Sequence, residues 1–239
     1  MIDNTLKEIL TINNNTKTSN LSQPHSKLLI RNLGLKVFVH LIGLLPFIEL
    51  LIRWQTNQLT VNPIQFIEQS LGLAAINLII VGLAITPFIT ITGWKQPGRH
   101  RRTIGLYAAL YVILHFLTFI GLDFGFDLNK LARQLFEKPF IIVGSLAALI
   151  VFALAVTSFK YWKRKLGKKW KILHRTIYFA ALLAVIHYAW ALKGSVSNLS
   201  GDVIRPIIYG FFVVFLLLMR ITTIKNWVIA KRIKLLAGR

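Results

Sequence analysis

Two histidines, His174 and His187, lie 13 residues apart in a stretch that is otherwise mostly apolar. Arg102 and His115 have the same separation in an earlier apolar stretch. At ~1.5 Å rise per residue, each pair spans about 20 Å of helix. Imidazole nitrogens bind metals, and guanidinium groups bind carboxylates and phosphates. Two such helices side by side could therefore hold flat cofactors at two depths.

The overall composition predicts that these helices lie in a membrane. The 239 residues are 55% hydrophobic and have a mean hydropathy of +0.60, which is too apolar for a soluble domain of this length. The apolar residues form runs of about 20, enough to cross a hydrocarbon core of ~30 Å as helices. Because lipid offers the backbone no hydrogen-bond partners, the sequence predicts an all-α polytopic membrane protein folded as a compact bundle.

Charge and cysteine content exclude several other classes of protein. The net charge of +21 does not indicate a nucleic-acid partner, because most cations sit at the ends of apolar runs, where they face a lipid bilayer. The absence of cysteine excludes disulfides, thiolate metal sites, iron–sulfur clusters and cysteine-attached haem. No internal repeat is expected.

We expect six transmembrane helices. The predicted spans are residues 33–52, 71–92, 103–122, 139–159, 170–192 and 206–224. Residues 1–30 are predicted to form a flexible cytoplasmic extension, residues 31–224 the six-helix transmembrane domain, and residues 225–239 a basic cytoplasmic tail. The connection 123–138 is mixed in charge, and part of it is expected to form an interfacial helix.

The distribution of cations predicts the orientation of the chain, because cytoplasmic loops are enriched in lysine and arginine. All but six of the 29 lysines and arginines fall in the two tails and the second and fourth connections, when the four cations just inside the adjoining span ends (Lys36, Lys171, Arg175 and Arg220) are counted with them. Both termini are therefore predicted to be cytoplasmic, so the third and fifth spans run outward in parallel. This arrangement places His115 level with His187 in the outer half of the bilayer. Arg101, Arg102 and His174 then lie together at the cytoplasmic edge.

His115 and His187 are candidate axial ligands of a haem. Taken singly, either histidine is explained as well by packing between helices as by metal ligation. Their equal depth favours ligation, and the absence of an intramembrane carboxylate on either helix disfavours a proton or cation pathway. Haem iron takes axial nitrogens from facing helices in an apolar slot.

The sequence allows two roles for His174. A solvated or phosphate-contacting histidine is one alternative, and ligation of a second cofactor is the other. Arg101 and Arg102 either anchor the third helix at the anionic leaflet or pair with haem propionates or a flavin phosphate. On a straight helix, 13 steps of 100° leave His174 and His187 about 140° away from a shared face, so a bend or separate roles are required.

Three segments resemble the MsrQ family, also called YedZ, the haem-binding membrane subunits of bacterial methionine sulfoxide reductase systems. They are HLIGLLPF at residues 40–47, the RR-x-x-GL-x(8)-H pattern at residues 101–115, and the segment 157–190, which contains LGKKWKILHRTIYFAALLAVIHYAW. This family belongs to the ferric-reductase-like transmembrane superfamily. The resemblance extends over all six predicted spans.

The resemblance implies that the chain carries electrons and performs no substrate catalysis itself. It implies one or two b-type haems with iron ligands among His115, His187 and His174, further cofactor contacts from Arg101 and Arg102, and FMN as an additional candidate. The implied donor is the quinone pool or a cytosolic flavin reductase. The implied acceptor, across the bacterial inner membrane, is a periplasmic molybdopterin subunit that reduces methionine sulfoxide in oxidised proteins.

Two other functions stay open. Ferric reductases proper carry histidine at both levels of the third helix and a fused FAD/NADPH domain. This chain has Arg102 at the inner level and ends soon after the sixth span, so we expect a separate donor. A stand-alone reductase of ferric or other metal chelates is one alternative. A non-redox transporter or scaffold, in which the histidines only pack helices together, is the other.

Overall fold

The computed structural model describes residues 33–192 and 203–237, and all regular structure within them is helical. The predicted all-α fold is confirmed. The predicted extension 1–30 and most of the connection before the last span lie outside the described residues. Ten α-helices are described: α1 Leu33–Gln55, α2 Pro63–Thr92, α3 Arg101–Thr118, α4 Leu128–Glu137, α5 Pro139–Val156, α6 Lys160–Leu166, α7 Lys168–Arg175, α8 Ile177–Ala191, α9 Ile204–Leu218 and α10 Thr222–Ala237.

The chain divides into two compact units, residues 1–41 and residues 42–239. Of the first unit, the structure describes residues 33–41, which form the beginning of α1 and include His40. The site discussed below lies entirely in the second unit.

Within the described residues, five helices are long and apolar enough to cross a membrane. They are α1, α2, α3 with its flanking turns (Gln96–Asp123), α5, and α7 with α8 (Lys168–Ala191). A sixth span exists only if α9 and Thr222–Leu235 are counted together, and these two segments are bent by 77°. The predicted sixth span was therefore too long, because α9 ends at Leu218. Most of the segment predicted as a basic tail forms α10.

Helix α2 begins eight residues before the predicted start of the second span. The Asn62 side chain accepts a hydrogen bond from the Gln65 N–H at 3.2 Å, and Pro63 occupies the first helical position. Both features stabilise a helix N-terminus. Part of the connection 53–70 between the first two predicted spans is therefore helical, and Glu68 lies within α2.

The predicted fifth span, 170–192, is not one continuous helix. It is interrupted at Thr176, where the backbone N–H bonds the Leu173 carbonyl at 3.0 Å and the hydroxyl bonds the same oxygen at 2.7 Å. This tight turn separates α7 from α8. His174 therefore lies before this turn, in α7, and His187 lies after it, in α8.

The central bundle contains α2, α3, α5 and α8. Each packs against two neighbours, in the cyclic order α2, α3, α5, α8, which leaves α3 and α8 on one diagonal. Helix α9 packs outside the bundle against α8 and α2. The alanine pairs Ala108–Ala109 on α3 and Ala180–Ala181 on α8 are at most 3% exposed. Small side chains at such contacts let helices approach closely.

Helix α4 is amphipathic and connects the end of the third span to α5. The Asp127 carboxylate caps its N-terminus by accepting hydrogen bonds from the N–H groups of Asn129 and Lys130, both at 3.0 Å. Leu128 and Phe136 lie on one face of α4 and are 71% and 88% exposed. The helix expected within residues 123–138 is therefore present.

Candidate functional site

His115 on α3 and His187 on α8 meet across the centre of the bundle. Their ring centroids are 6.1 Å apart, and the ring planes are inclined at 78°. Because α3 and α8 lie on a diagonal, the two rings extend towards each other into the space between the helices. The structure thus confirms that these two histidines lie at one level.

Each of these rings is held by a backbone carbonyl from an adjacent helix. His115 Nδ1 donates to the Glu68 carbonyl of α2 at 2.9 Å, and His187 Nδ1 donates to the Phe140 carbonyl of α5 at 2.8 Å. A carbonyl oxygen only accepts hydrogen bonds, so Nδ1 carries the proton in both rings. In a neutral imidazole, this leaves the lone pair on Nε2, the form that binds a metal.

A cavity of about 330 Å³ adjoins both histidines. This volume lies within the usual range for cofactor and ligand pockets. Much of its wall is made of small side chains, which leave room for a flat group: Gly72, Ala75, Gly144, Ala147, Ala148 and Ala184.

One end of the cavity is polar and charged. Glu68, Asp123, Lys138 and Arg205 line it there, and each comes from a different part of the chain. In the described part of the chain, Glu68 Oε1 is buried without a hydrogen-bond partner. Sequence reasoning did not single out any of these four residues, because each lies in or beside a segment predicted to be a loop.

His174 occupies a separate environment at the end of α7. Its ring stacks on Trp170 with centroids 3.9 Å apart and planes inclined at 26°. His174 Nδ1 donates to the Trp170 carbonyl at 3.1 Å, and Trp170 Nε1 in turn donates to the Thr157 carbonyl at 2.8 Å. The His174 ring also makes a backbone hydrogen bond with Leu154 of α5, so it contacts α5 as well as its own helix.

Arg101 and Arg102 form the exposed first turn of α3. The Arg102 guanidinium lies 5.6 Å from the centroid of the Phe159 ring, at the distance of a cation–π contact. Among the described residues, no hydrogen bond joins His174 to either arginine. The structure thus brings together the His115–His187 pair but does not join the three residues predicted for the inner level.

The side chains available to bind a metal limit which kind of metal centre this site can accept. Within the described residues, no group of three or more histidine, cysteine, aspartate or glutamate side chains could bind a metal ion. A facing pair of imidazoles instead suits a metal whose remaining positions are filled by a macrocycle.

Comparison with known proteins identifies the family. A family model described as "Ferric reductase like transmembrane component" matches residues 71–185, which include His115 and His174. A "Protein-methionine-sulfoxide reductase heme-binding subunit MsrQ" from Herminiimonas arsenicoxydans is 38% identical over 188 residues, 78% of this chain and 84% of the relative. The chain belongs to the MsrQ family. MsrQ proteins from Bordetella parapertussis and Caulobacter vibrioides are 37% and 38% identical over 83% and 74% of this chain, and over 94% and 81% of their own lengths.

Membership of the MsrQ family confirms the resemblance read from the three sequence segments. With the apolar helices described above, it also supports a multi-pass membrane protein. The MsrQ relatives are named as haem-binding subunits of a protein methionine sulfoxide reductase.

Proposed function

We propose that this protein is a b-type haem subunit that carries electrons across a bacterial inner membrane within a methionine sulfoxide reductase system. The observation that carries the proposal is the facing pair His115 and His187, each with its Nε2 lone pair free to bind a metal. The names of the relatives support haem as the bound group.

The spacing of the two rings fits one metal between them. Two metal–nitrogen bonds of about 2 Å, with each ring centroid about 1 Å behind its nitrogen, require a centroid separation of about 6 Å. The observed value is 6.1 Å. When bound, haem supplies an iron centre that gains and loses one electron. His115 and His187 would bind the iron through Nε2, and the small apolar side chains of the cavity would keep it in a medium of low dielectric constant.

The charged end of the cavity supplies partners for the carboxylates of haem. Among the described residues that line the cavity, the lysine and arginine are Lys138 and Arg205. Arginine and lysine pair with carboxylates through charge-assisted hydrogen bonds. We assign these two residues to the carboxylates of the haem held by His115 and His187.

We propose a second cofactor position at the opposite end of the third and fifth spans. We place it at His174, Arg101 and Arg102, as predicted from the sequence. The aromatic stack with Trp170 and the basic first turn of α3 suit either a second haem b or the ring and phosphate of FMN. The number of cofactors is an outcome of the experiment below.

The direction of electron flow follows from the predicted orientation, with both termini in the cytoplasm. Electrons then enter near His174 from the quinone pool or a cytosolic flavin reductase and leave near His187. The acceptor is a periplasmic molybdopterin-dependent subunit that reduces methionine sulfoxide in oxidised proteins. No substrate chemistry is assigned to this chain.

Optical spectra of the purified protein test the proposal. The dithionite-reduced minus oxidised spectrum is expected to show a b-type α-band, and a pyridine haemochrome assay gives the haem stoichiometry. His115→Ala and His187→Ala should each lose the haem of this pair, whereas the control variant His100→Ala should retain it. A colourless protein, or unchanged haem in both alanine variants, would contradict the proposal and favour a non-redox transporter or scaffold.

A stand-alone reductase of ferric chelates is the second candidate, and the match to a ferric-reductase-like family model favours it. The two functions differ in the electron acceptor. Pre-reduced protein in proteoliposomes is mixed with ferric citrate, or with a molybdopterin-dependent methionine sulfoxide reductase subunit from the same bacterium, and reoxidation is followed in the α-band. Faster reoxidation by the protein acceptor supports our proposal, and faster reoxidation by ferric citrate supports the second candidate.

A further inference from the structure

The two halves of the His115–His187 site are copies of one structural unit. In the first unit, His115 donates to the carbonyl of Glu68, and Gly72 follows Glu68 by four residues. In the second, His187 donates to the carbonyl of Phe140, and Gly144 follows Phe140 by four residues. Both hydrogen bonds span 47 residues of chain. Every member of the second unit therefore lies 72 residues after its counterpart in the first.

The sequence around the histidines carries the same offset. Residues 108–115 read AALYVILH and residues 180–187 read AALLAVIH, so both alanines, the leucine and the histidine coincide. The alanine pairs are equivalent in burial as well, at 2–3% exposure on α3 and 0% on α8. The α2–α3 and α5–α8 helix pairs are also the two most extensively packed pairs of the bundle. This local correspondence had not been noticed in the sequence, from which no internal repeat was expected.

Glycine at the fourth position is what makes the carbonyl accessible. In a helix, the carbonyl of residue i points towards the N–H of residue i+4, so the Cβ of residue i+4 would stand beside that oxygen. Glycine has no Cβ, and a ring from the neighbouring helix can then approach the oxygen. A Cβ added at Gly144 would overlap the His187 ring at Nδ1, whereas one added at Gly72 would lie 3.4 Å from the His115 ring, an ordinary contact distance.

We propose that Glu68–Gly72 and Phe140–Gly144 are duplicated positioning units that fix the tautomer and orientation of His115 and His187. The proposal rests on the proposed function where it concerns haem, but the tautomer and orientation belong to the protein alone. The carbonyl holds the proton on Nδ1 and so presents Nε2 to the cavity, and it increases the donor strength of Nε2. The two units differ in their tolerance of a larger side chain at the glycine, because of these two glycines only Gly144 has no space for a methyl group.

Nitrogen NMR of the unsubstituted protein, labelled with ¹⁵N-histidine and prepared without haem, tests the first half of the proposal. Both His115 and His187 should show the Nδ1–H tautomer, with their signals assigned by the alanine variants. The Nε2–H tautomer at either histidine would overturn the proposal. Because this measurement needs no haem, it separates failure of the positioning units from failure of the haem function.

Alanine substitution of the glycines tests the second half. Gly144→Ala should remove the His187 hydrogen bond, which shifts the His187 nitrogen signals, weakens haem binding by about 10- to 100-fold and makes the midpoint potential more positive. Gly72→Ala should have a smaller effect on each of these quantities. Gly82→Ala on α2 is the matched control, because its new Cβ would lie 3.8 Å from the nearest atom, on Ile104. Equal effects of all three substitutions would overturn the proposal.

Discussion

Arg220 donates a hydrogen bond from Nη2 to the carbonyl oxygen of Leu83 on α2, at 2.7 Å. Leu83 lies four residues before Pro87, and proline has no N–H, so this carbonyl has lost its helical partner. The same guanidinium donates from Nη1 to the Tyr178 hydroxyl of α8 at 2.8 Å. Arg220, just beyond the end of α9, thus replaces the hydrogen bond that Pro87 removes from α2. It also links α2 to α8.

Removal of this cation should destabilise the bundle. We expect Arg220→Met to lower the free energy of unfolding by about 1.5–3 kcal/mol, the usual range for a hydrogen bond to a charged group. The loss should be smaller in a Pro87→Ala background, because the N–H introduced at position 87 can bond the Leu83 carbonyl. Unfolding of the four proteins in detergent micelles measures this double-mutant cycle. Equal losses in both backgrounds would show that Arg220 acts elsewhere.

Replacement of His174 should separate the two cofactor positions. His174 stacks on Trp170 in α7, whereas His187 follows 13 residues later, near the end of α8. We expect His174→Ala to retain the haem of that pair, with its α-band and midpoint potential unchanged. If a second haem is bound at His174, the haemochrome stoichiometry should fall from two to one. Loss of all haem in His174→Ala would contradict the assignment of separate positions.

The cations at the charged end of the cavity should raise the midpoint potential of the haem and strengthen its binding. Positive charge near haem favours the reduced form, so Lys138→Gln and Arg205→Gln should each lower the midpoint potential and weaken haem retention. Potentiometric titration followed in the α-band measures the first effect. Lys130→Gln is a suitable control, because Lys130 is exposed on α4 and pairs with Asp127 at 3.6 Å. An unchanged potential in both cavity variants would place the haem carboxylates elsewhere.

The apolar face of α4 should lie in the membrane interface. Phe136 is 88% exposed on the apolar side of the helix with Leu128, whereas the exposed Glu137 projects about 180° from Leu128, on the polar side. In proteoliposomes, a tryptophan introduced by Phe136→Trp should be quenched by lipids brominated near the headgroup, and one introduced by Glu137→Trp much less. Each fluorescence signal is read as the difference from the unsubstituted protein. Equal quenching at the two positions would argue against an interfacial helix.

The capping of the α4 N-terminus by Asp127 should depend on pH in the acidic range. The N–H groups of Lys130 and Asn129, with the Lys130 ammonium, hold the pKa of the Asp127 carboxyl below its usual value. Because the pKa is lower in the folded state, the cap is intact above the ordinary pKa of aspartate and is lost as the pH falls through the lowered value. Amide shifts of residues 129 and 130 should follow this titration. They should become independent of pH in Asp127→Asn, which retains a capping oxygen.

Much of the fold could be predicted from the sequence, because hydropathy and charge are local properties. Apolar runs located every predicted span to within a few residues at most ends, and the pattern of cations predicted that the third and fifth spans run in parallel. The exceptions arose from side-chain interactions that hydropathy does not register. The Asn62 cap extends α2, a tight turn at Thr176 separates α7 from α8 within the fifth span, and the chain bends at residues 219–221, which include Arg220.

The histidines themselves, and the equal depth of His115 and His187, were determined by the sequence alone. Only the tertiary structure decided that the two rings face each other across a diagonal and that backbone carbonyls fix their orientation. Each carbonyl lies 47 residues from its histidine, on another helix, so no local pattern reveals it. The duplicated unit was hidden for the same reason: its members share a geometry between helices, whereas residue identity is retained at few positions besides the glycine, the alanine pair and the histidine.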